Sequence, residues 1–284
     1  MAAPNNPYPA LARAVDPSIV RNIRQASLAT STDFGLLMAQ AQQESSFKPD
    51  AKAATGSASG LFQFVDSTWL EMVRRFGAKY GMGQLAQQIG TDAAGKPTVS
   101  DAAVRQRILA LRNDPALASS LAGEYAHQNK DAIEHALGRP ASRADLYMAH
   151  FLGAAGATSF LKALETKGGT SGAALLPDAA ASNPAIFYDG AGNARSVAAI
   201  YRMIGSRIET AADGFSASAA GASDPAAVTT LGSNLPARLD FAGLNLTPQV
   251  ATMLDAMTLA ALKLIAGGAS PVLHGANAGA GAGS

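Results

Sequence analysis

Signals that start and stop helices recur along this chain between residue 16 and residue 210. Asp16-Pro17 and Asp114-Pro115 each place an N-cap before a proline at the first helical position. Gly138 marks the end of the helix that begins at Pro115. Hydrophobic residues make up 48% of the 284 residues, and alanine, the best helix former, is abundant among them. No alternation of apolar and polar positions, the mark of a half-buried strand, persists for long in this stretch. The sequence therefore predicts one all-α domain over residues 16–210.

A loop-rich inset interrupts the helical pattern in the first third of the chain. Pro49, Gly56 and Gly60 break the periodicity, so residues 48–64 are predicted to form a loop or a small hairpin. Thr68 and Glu71 have the spacing of a capping box and predict a helix start just after the inset. A helix at 33–45 is predicted to be capped by Ser31 or Thr32, and one at 101–112 by Ser100. The helix that begins after Asp114 is predicted to span 115–137, and further helices are predicted at 143–152, 156–166 and 196–210.

The two ends of the chain differ in composition from the predicted helical domain. Residues 1–15 are rich in Pro and Asn and predict a loose lead-in, whereas residues 211–247 predict a flexible linker. Residues 248–266 carry apolar side chains at steps of four and three, which predicts a C-terminal helix. That helix either docks on the main domain or serves a protein partner or self-association. Residues 267–284 form a Gly/Ala tail that is predicted to be disordered.

Composition argues against several classes of function. The absence of cysteine excludes disulfides and sites built on thiolates. With 22 Lys and Arg against 21 Asp and Glu, the net charge is +1, so no nucleic-acid partner is predicted. Glu124 and His127 have half the spacing of a di-metal carboxylate site without a second copy, so neither a metal nor another cofactor is predicted. No segment has the pattern of a membrane span or of a signal peptide.

Glu44 is the candidate for acid chemistry. Leu37, Ala41 and Glu44 follow the spacing of one helix face, and the rest of that face is apolar. A carboxyl group on an inward-looking face is desolvated, which favours its protonated form and suits a general acid. The alternative is a glutamate at a helix end that merely extends into solvent.

The segment Ser59-Gly60-Leu61-Phe62-Gln63-Phe64 is the candidate for substrate binding. Gly60 permits a backbone conformation, or a close approach, that a Cβ atom would forbid. An amide between two aromatic side chains suits a sugar ring, which offers an apolar face together with hydroxyl and acetamido groups. The alternative is an ordinary hairpin with Phe62 and Phe64 in the core.

Taken together, these motifs resemble the catalytic domain of the soluble lytic transglycosylases (SLT), which is related to goose-type lysozyme. The motifs are Glu44-Ser45, Phe-x-Pro, Ser-Gly-Leu-Phe-Gln-Phe and Ser-Thr-Trp, and the resemblance is strongest over residues 33–72. It implies a lysozyme-like helical fold and, as substrate, the peptidoglycan glycan strand, cut between N-acetylmuramic acid and N-acetylglucosamine. It also implies that Glu44 is the catalytic acid and base and that Ser45 helps to hold it. Gln63 and the backbone of the Gly60–Phe64 loop would contact the sugar.

The third motif of the family, Ala-Tyr-Asn followed by Ala-Gly, is altered in this chain. The matching segment runs from Tyr147 to Gly156, with His150 in the place of the tyrosine and Phe151 in the place of the asparagine. Tyr147 precedes His150 by three residues on the same helix face and could supply a hydroxyl. His150 could donate from a neutral ring nitrogen to Glu44 or to a sugar, or it could be a packing histidine.

Most glycosidases use two flanking carboxyl groups, and no second acid stands out here. Asp66 and Glu71 are predicted to be helix-start residues, and Asp50 a loop acid. The resemblance implies a reaction that needs only Glu44, which protonates the glycosidic oxygen and then deprotonates the C6 hydroxyl of the same muramic acid. The product carries a 1,6-anhydro end, and the substrate implies a periplasmic or cell-envelope location. A muramidase on the same fold and a catalytically decayed scaffold that binds the wall remain alternatives.

Overall fold

The computed structural model of the protein describes residues 15–54 and 56–221. Helices dominate these residues, and the strands among them, β1 (Gly90–Thr91) and β2 (Pro97–Thr98), form one small antiparallel sheet. The predicted all-α fold is confirmed. No helix in the described part of the chain is both long and apolar enough to cross a membrane. The helices are α1 (Pro17–Thr30), α2 (Phe34–Ser45), α3 (Asp66–Phe76), α4 (Gly83–Ala86), α5 (Ala102–Ala110), α6 (Pro115–Leu137), α7 (Arg143–Lys167), α8 (Gly172–Leu175), α9 (Pro177–Ser182), α10 (Pro184–Phe187) and α11 (Val197–Gly221).

Side-chain caps begin α1 and α6 at the positions that the sequence indicates. Asp16 accepts a hydrogen bond from the backbone N–H of Ser18, and Asp114 accepts two from the first turn of α6. Each cap satisfies an amide that has no partner inside its helix. Gly138 ends α6 in the left-handed conformation, as predicted.

Aspartates, rather than the predicted hydroxyl residues, cap α2 and α5. Asp33 accepts a hydrogen bond from the backbone N–H of Leu36 at 2.7 Å, so the predicted cap at residue 31 or 32 is wrong. Asp101 caps α5 in the same way, where the sequence predicts Ser100. A carboxylate is a stronger acceptor than a hydroxyl, and its charge is favoured at the N-terminal end of a helix.

The capping box predicted from Thr68 and Glu71 is absent, because α3 begins earlier, at Asp66. Thr68 and Glu71 therefore lie inside the helix. Glu71 is buried and accepts two hydrogen bonds from Arg74, at 2.7 and 2.8 Å. The Glu71 carboxylate, which a capping box would use, is therefore occupied by a charge-assisted pair with Arg74.

A kink marks the predicted break between the helices at 143–152 and 156–166. Both lie within α7, and Gly153 leaves the helical conformation with φ 70° and ψ 161°. The kink divides α7 into a first segment that carries Tyr147 and His150 and a second segment that packs in the core through Phe160.

In the core α2 packs against α11, α6 packs against α1, and both α6 and α11 pack against α7. Every residue of α2 from Gly35 to Ala41 is buried. A Cβ atom at Gly35 would lie 2.3 Å from the backbone oxygen of Ala212, so glycine is what allows α11 to approach this closely. Only the last turn of α2, which contains Glu44, comes out of the core.

The helical domain extends beyond its predicted boundary. α11 continues to Gly221, so the predicted start of the linker at residue 211 is wrong. Ala211, Ala212 and Phe215 are buried, and the Phe215 ring meets that of Phe47 edge to face, with centroids 6.0 Å apart. The small residues give this stretch the composition of a linker, but they pack against α2. The rest of the predicted lead-in, up to residue 14, the remainder of the linker at 222–247, the helix at 248–266 and the tail at 267–284 lie outside the described residues.

A buried carboxylate ties α7 to α11. The Asp145 side chain is 1% exposed and accepts hydrogen bonds from Arg139 at 2.7 Å, from the backbone N–H of Ser142 at 2.9 Å and from Tyr201 Oη at 2.8 Å. Burial by itself would raise the pKa of Asp145. The hydrogen bonds from Arg139, Ser142 and Tyr201 outweigh burial, so this pKa lies below its ordinary value of 3.8.

Asp145→Asn should therefore destabilise the domain at neutral pH by about 1.5–3 kcal/mol, the usual range for a hydrogen bond to a charged group. Because the folded-state pKa is lowered, the contribution of the carboxylate is complete above pH 3.8 and is lost as the pH falls further. The difference in unfolding free energy between wild type and variant should thus shrink below that pH. Urea unfolding at several pH values measures it, and a difference that stays constant with pH would contradict this assignment.

Ending the chain after residue 210 should destabilise the domain relative to a chain that ends after residue 221. The shorter chain lacks Phe215, and loss of a buried phenylalanine side chain alone is worth about 3–5 kcal/mol. Denaturant unfolding of the two truncated proteins measures the difference. Equal midpoints would show that the last turns of α11 do not belong to the core.

Candidate active site

Glu44 lies at the point where α2 leaves the core. Leu37 and Ala41, on the same helix face, are fully buried, and the Glu44 side chain is 20% exposed. The carboxyl group is thus neither sealed in the core nor free in bulk water. A group in this position can reach a large external substrate and still be partly desolvated when that substrate binds.

The end of α2 is strained and firmly held. Ser46 and Phe47 both adopt the left-handed conformation, with φ 51° and 62°, which is unfavourable for residues with a Cβ atom. Phe47 is held by the edge-to-face contact with Phe215. The backbone N–H of Ser46 still reaches the carbonyl of Gln42, so the turn closes tightly after Glu44.

Ser45 fastens the inset to the end of α2. Its hydroxyl donates to the backbone oxygen of Leu61 at 2.8 Å and lies 3.1 Å from that of Ala41. The Gly60–Phe64 loop is therefore bonded to the residue that directly follows Glu44. The structure places Ser45 beside the catalytic candidate, as a structural link.

Gln63 is engaged within its own loop. Its side-chain nitrogen donates to the backbone oxygens of Gly60 at 2.8 Å and of Ala51 at 3.1 Å, and its backbone is left-handed with φ 47°. The amide oxygen of Gln63 is then the polar atom that this side chain can offer to a sugar.

Most of the apolar side chains that the sequence singles out belong to the core. Leu61, Phe62 and Phe64 are buried, and the Phe64 ring lies edge to face against Trp69, with centroids 5.3 Å apart. For these three side chains the hairpin alternative describes the packing correctly, because their rings and methyl groups have little surface left for a ligand. Contacts from this segment to a sugar would come from its backbone. Ser59 also faces inward, where its hydroxyl donates to Asn113 Oδ1 at 3.1 Å.

His150 is in direct contact with Glu44. Its Nε2 lies 2.9 Å from Glu44 Oε1, and its side chain is 22% exposed. The first segment of α7 brings it there, 106 positions further along the chain. Of the two alternatives left open by the sequence, the geometry therefore favours a residue of the site over a packing histidine.

Tyr147 and Phe151 flank His150 on the core side. Both are buried, and the Tyr147 ring centroid lies 6.0 Å from that of His150. Burial raises the pKa of Tyr147, the charge of Glu44 raises it further, and Arg207 opposes the rise. Tyr147 is therefore a neutral, enclosed neighbour of the site, and Phe151 fills core volume where the family has a polar amide.

Comparison with known families supports the resemblance seen in the sequence. Residues 21–91 match the family model described as "Transglycosylase SLT domain". These residues are an SLT domain. The match contains Glu44, Ser45 and the whole inset, whereas the segment with Tyr147 and His150 lies outside it. The SLT domain implies transglycosylase-type activity on peptidoglycan and binding of that polymer.

Arg112, which sequence reasoning missed, binds the backbone of the inset. It lies in a 3₁₀ turn, Leu111–Asn113, and its Nη1 donates to the backbone oxygens of Ser57 at 2.6 Å and of Phe64 at 3.0 Å. The same nitrogen bonds to Asp66 at 2.8 Å. Burial lowers the pKa of Arg112, and Asp66 acts in the opposite direction. No local pattern identifies such a residue, because its partners are about 50 positions away in sequence.

The two acids of α3, the helix that follows the inset, are paired. Asp66 binds Arg105 at 2.6 Å as well as Arg112, and Glu71 binds Arg74. Asp66 is in the first turn of α3, as the sequence predicts, whereas Glu71 is not a helix-start residue. Neither carboxylate is available as a second catalytic group.

The half-motif Glu124-x-x-His127 does not form a metal site. Glu124 is bound by Lys79 at 2.6 Å and by Tyr80 Oη at 2.7 Å. His127 forms a surface pair with Asp131 at 3.6 Å. Within residues 15–54 and 56–221, no group of three or more His, Cys, Asp or Glu side chains could hold a metal ion.

Gly60→Ala should disrupt the inset. Gly60 has φ +85°, and a Cβ atom there would lie 2.1 Å from the backbone oxygen of Arg112. Gly81 is a matched control, since it has φ +77° and no atom within 4 Å of its Cβ position. Gly81→Ala should cost about 1–2 kcal/mol of left-handed strain. Gly60→Ala should cost about 1–3 kcal/mol more, because the clash adds to the strain. Denaturant unfolding compares them, and equal destabilisation would contradict the close contact at Arg112.

Proposed function

We propose that this protein is a peptidoglycan lytic transglycosylase. It cleaves the β-1,4 bond between N-acetylmuramic acid and N-acetylglucosamine and leaves 1,6-anhydro-N-acetylmuramic acid ends. The observation that carries the proposal is the Glu44 carboxylate, partly exposed at the end of a buried helix, joined through Ser45 to the inset of an SLT domain.

Glu44 acts first as an acid in this proposal. Its proton passes to the glycosidic oxygen as the bond from that oxygen to the anomeric carbon breaks, and N-acetylglucosamine leaves with a new hydroxyl group. This step requires the protonated carboxyl group, and a glycan bound over Glu44 would exclude water from it.

Glu44 then acts as a base. As a carboxylate it takes the proton of the C6 hydroxyl, and O6 of the same muramic acid forms a bond to the anomeric carbon. The nucleophile is tethered to the reacting centre, and well-oriented intramolecular groups reach effective molarities of about 10⁵ M or more. The reaction consumes no water and returns the proton to Glu44.

The surrounding ion pairs support a mechanism with one carboxylate. Retaining and inverting glycosidases place a second carboxyl group opposite the first, to act as nucleophile or to activate water. Asp66 and Glu71, the acids of the helix that follows the inset, are each held by arginines, and Asp50 lies in the exposed loop after α2. An internal nucleophile removes the need for them. The substrate would place the protein in the periplasm or elsewhere in the cell envelope.

The ends of the released glycan decide between this reaction and hydrolysis. Purified sacculi digested with the protein should yield anhydro ends, which are lighter by one water than the reducing ends left by a muramidase. Mass spectrometry of the digest distinguishes the two. Reducing ends as the main product would contradict the transglycosylase assignment and support the muramidase.

Glu44→Gln should lower the rate of glycan release about 10²- to 10⁴-fold, the usual contribution of a general acid or base. Glu165→Gln is a matched control, because Glu165 is half-exposed and pairs with Arg139 on the surface. The control should keep wild-type activity, since surface ion pairs contribute little. If wild type and Glu44→Gln bind sacculi equally and both leave them intact, the protein is a binding scaffold instead.

A further inference from the structure

We propose that His150 is a positioning residue of this reaction, and that it must be neutral to serve it. Its Nε2–H donates to Glu44 Oε1 in both steps and so leaves Oε2 as the oxygen that exchanges a proton with the glycan. The inference rests on the proposed function and adds to it the group that orients the acid.

The geometry of the pair is the first support. Nε2 and Oε1 are 2.9 Å apart, the length of a good hydrogen bond between nitrogen and oxygen. The two side chains are exposed to similar extents, 22% and 20%, so they meet at the same depth of the surface. One oxygen of Glu44 is thus occupied by the protein, and the other is left for the substrate.

The chemistry of the two steps is the second support. While Glu44 is protonated on Oε2, Oε1 is its carbonyl oxygen and accepts from Nε2–H. After the proton has moved to the glycosidic oxygen, the same N–H donates to the carboxylate. A single neutral donor therefore serves both steps without moving, and the side chain of Glu44 keeps its orientation.

A charged imidazole would fit the reaction less well. A cation beside Glu44 favours the carboxylate over the protonated acid and thus opposes the first step. It also makes the carboxylate a weaker base in the second step. A protonated imidazole at this contact would therefore slow both steps.

Other ionisable groups on the elements around His150 have partners of their own or lie in exposed positions. Lys130 pairs with Glu134, Lys79 with Glu124, and Arg143 with Glu209 and Asp213. Tyr147 stays neutral because it is enclosed, and Arg207 acts on it from α11. The groups concerned are Lys48 and Asp50 in the exposed loop after α2, Glu124, His127, Lys130 and Glu134 on α6, Tyr147 on α7, and Arg207, Glu209 and Asp213 on α11.

Glu44 and His150 are in direct contact, so a charge on one side chain acts on the other. Two ionisable groups in direct contact lose their protons in macroscopic steps that belong to both of them. The competent form has a proton on Glu44 and a neutral imidazole. We expect the rate of the wild-type enzyme to fall on the alkaline side, as the pair loses that proton, and on the acidic side, as the imidazole becomes charged.

The test compares two replacements of His150 across the pH range 4 to 9. His150→Gln keeps an N–H donor and does not titrate, whereas His150→Phe removes the donor. His127→Gln is the matched control, because His127 is half-exposed and pairs with Asp131 on the surface. The readout is kcat/KM for release of glycan ends from purified sacculi, with thermal unfolding to verify that each variant is folded.

His150→Gln should keep activity within about 10-fold of wild type at the optimum and should lose the acidic limb of the profile. His150→Phe should lose about 10- to 100-fold at every pH, which is the usual effect of removing a group that orients a reactive one. The control should reproduce the wild-type profile. A His150→Gln profile that keeps the acidic limb, or wild-type activity in His150→Phe, would overturn the proposal.

A second measurement does not depend on enzyme activity. Long-range ¹H–¹⁵N correlation spectra of the wild-type protein report which ring nitrogen of each of the four histidines carries the proton. We expect Nε2–H for the resonance that disappears in His150→Gln, and a resonance of the Nδ1–H form would refute the proposal. The proposed function is tested separately by the chemistry of the released glycan ends. That result does not depend on the relative activities of the His150 variants.

Discussion

The burial of α2 is the constraint on which the site depends. This helix is packed so closely against α11 that a Cβ atom at Gly35 would collide with the backbone of Ala212. Its core residues fix the position and the rotation of the helix, and Glu44 projects from the one turn that reaches the surface. A carboxyl group carried by such a rigid element needs little further ordering when a glycan binds. The position of Glu44 is therefore set by the packing of buried residues earlier in the same helix.

The inset next to Glu44 is held mainly through its backbone. Ser45 donates to the carbonyl oxygen of Leu61, and Arg112 donates to those of Ser57 and Phe64. The side chain of Gln63 donates to the carbonyl oxygen of Gly60 in the same loop. Its aromatic side chains face the core, where they anchor the loop from inside. A backbone fixed from both sides offers amides and carbonyls in set directions, which suits the polar groups of a sugar polymer.

Local signals in the sequence predicted much of this arrangement, and they failed where distant residues compete. The aspartate caps of α1 and α6, the end of α6 at Gly138 and the break at Gly153 follow from the conformational preferences of single residues. The predicted capping box at Thr68 and Glu71 is wrong, because α3 begins earlier, at Asp66, and the Glu71 carboxylate binds Arg74. The predicted linker start at 211 is wrong, because small residues that resemble a linker also allow two helices to pack closely.

The sequence by itself determined the helical fold, and it indicated Glu44 as the candidate acid and the Gly60–Phe64 segment as its companion, since these rest on motifs within about 30 residues of one another. It left open whether His150 belongs to the site, and it gave no sign of Arg112. Only the tertiary structure brings His150 to Glu44 and Arg112 to the inset, because His150 is 106 positions from Glu44 and Arg112 is 48 from Phe64. Contacts over such separations are set by the packing of whole helices, which no local pattern encodes.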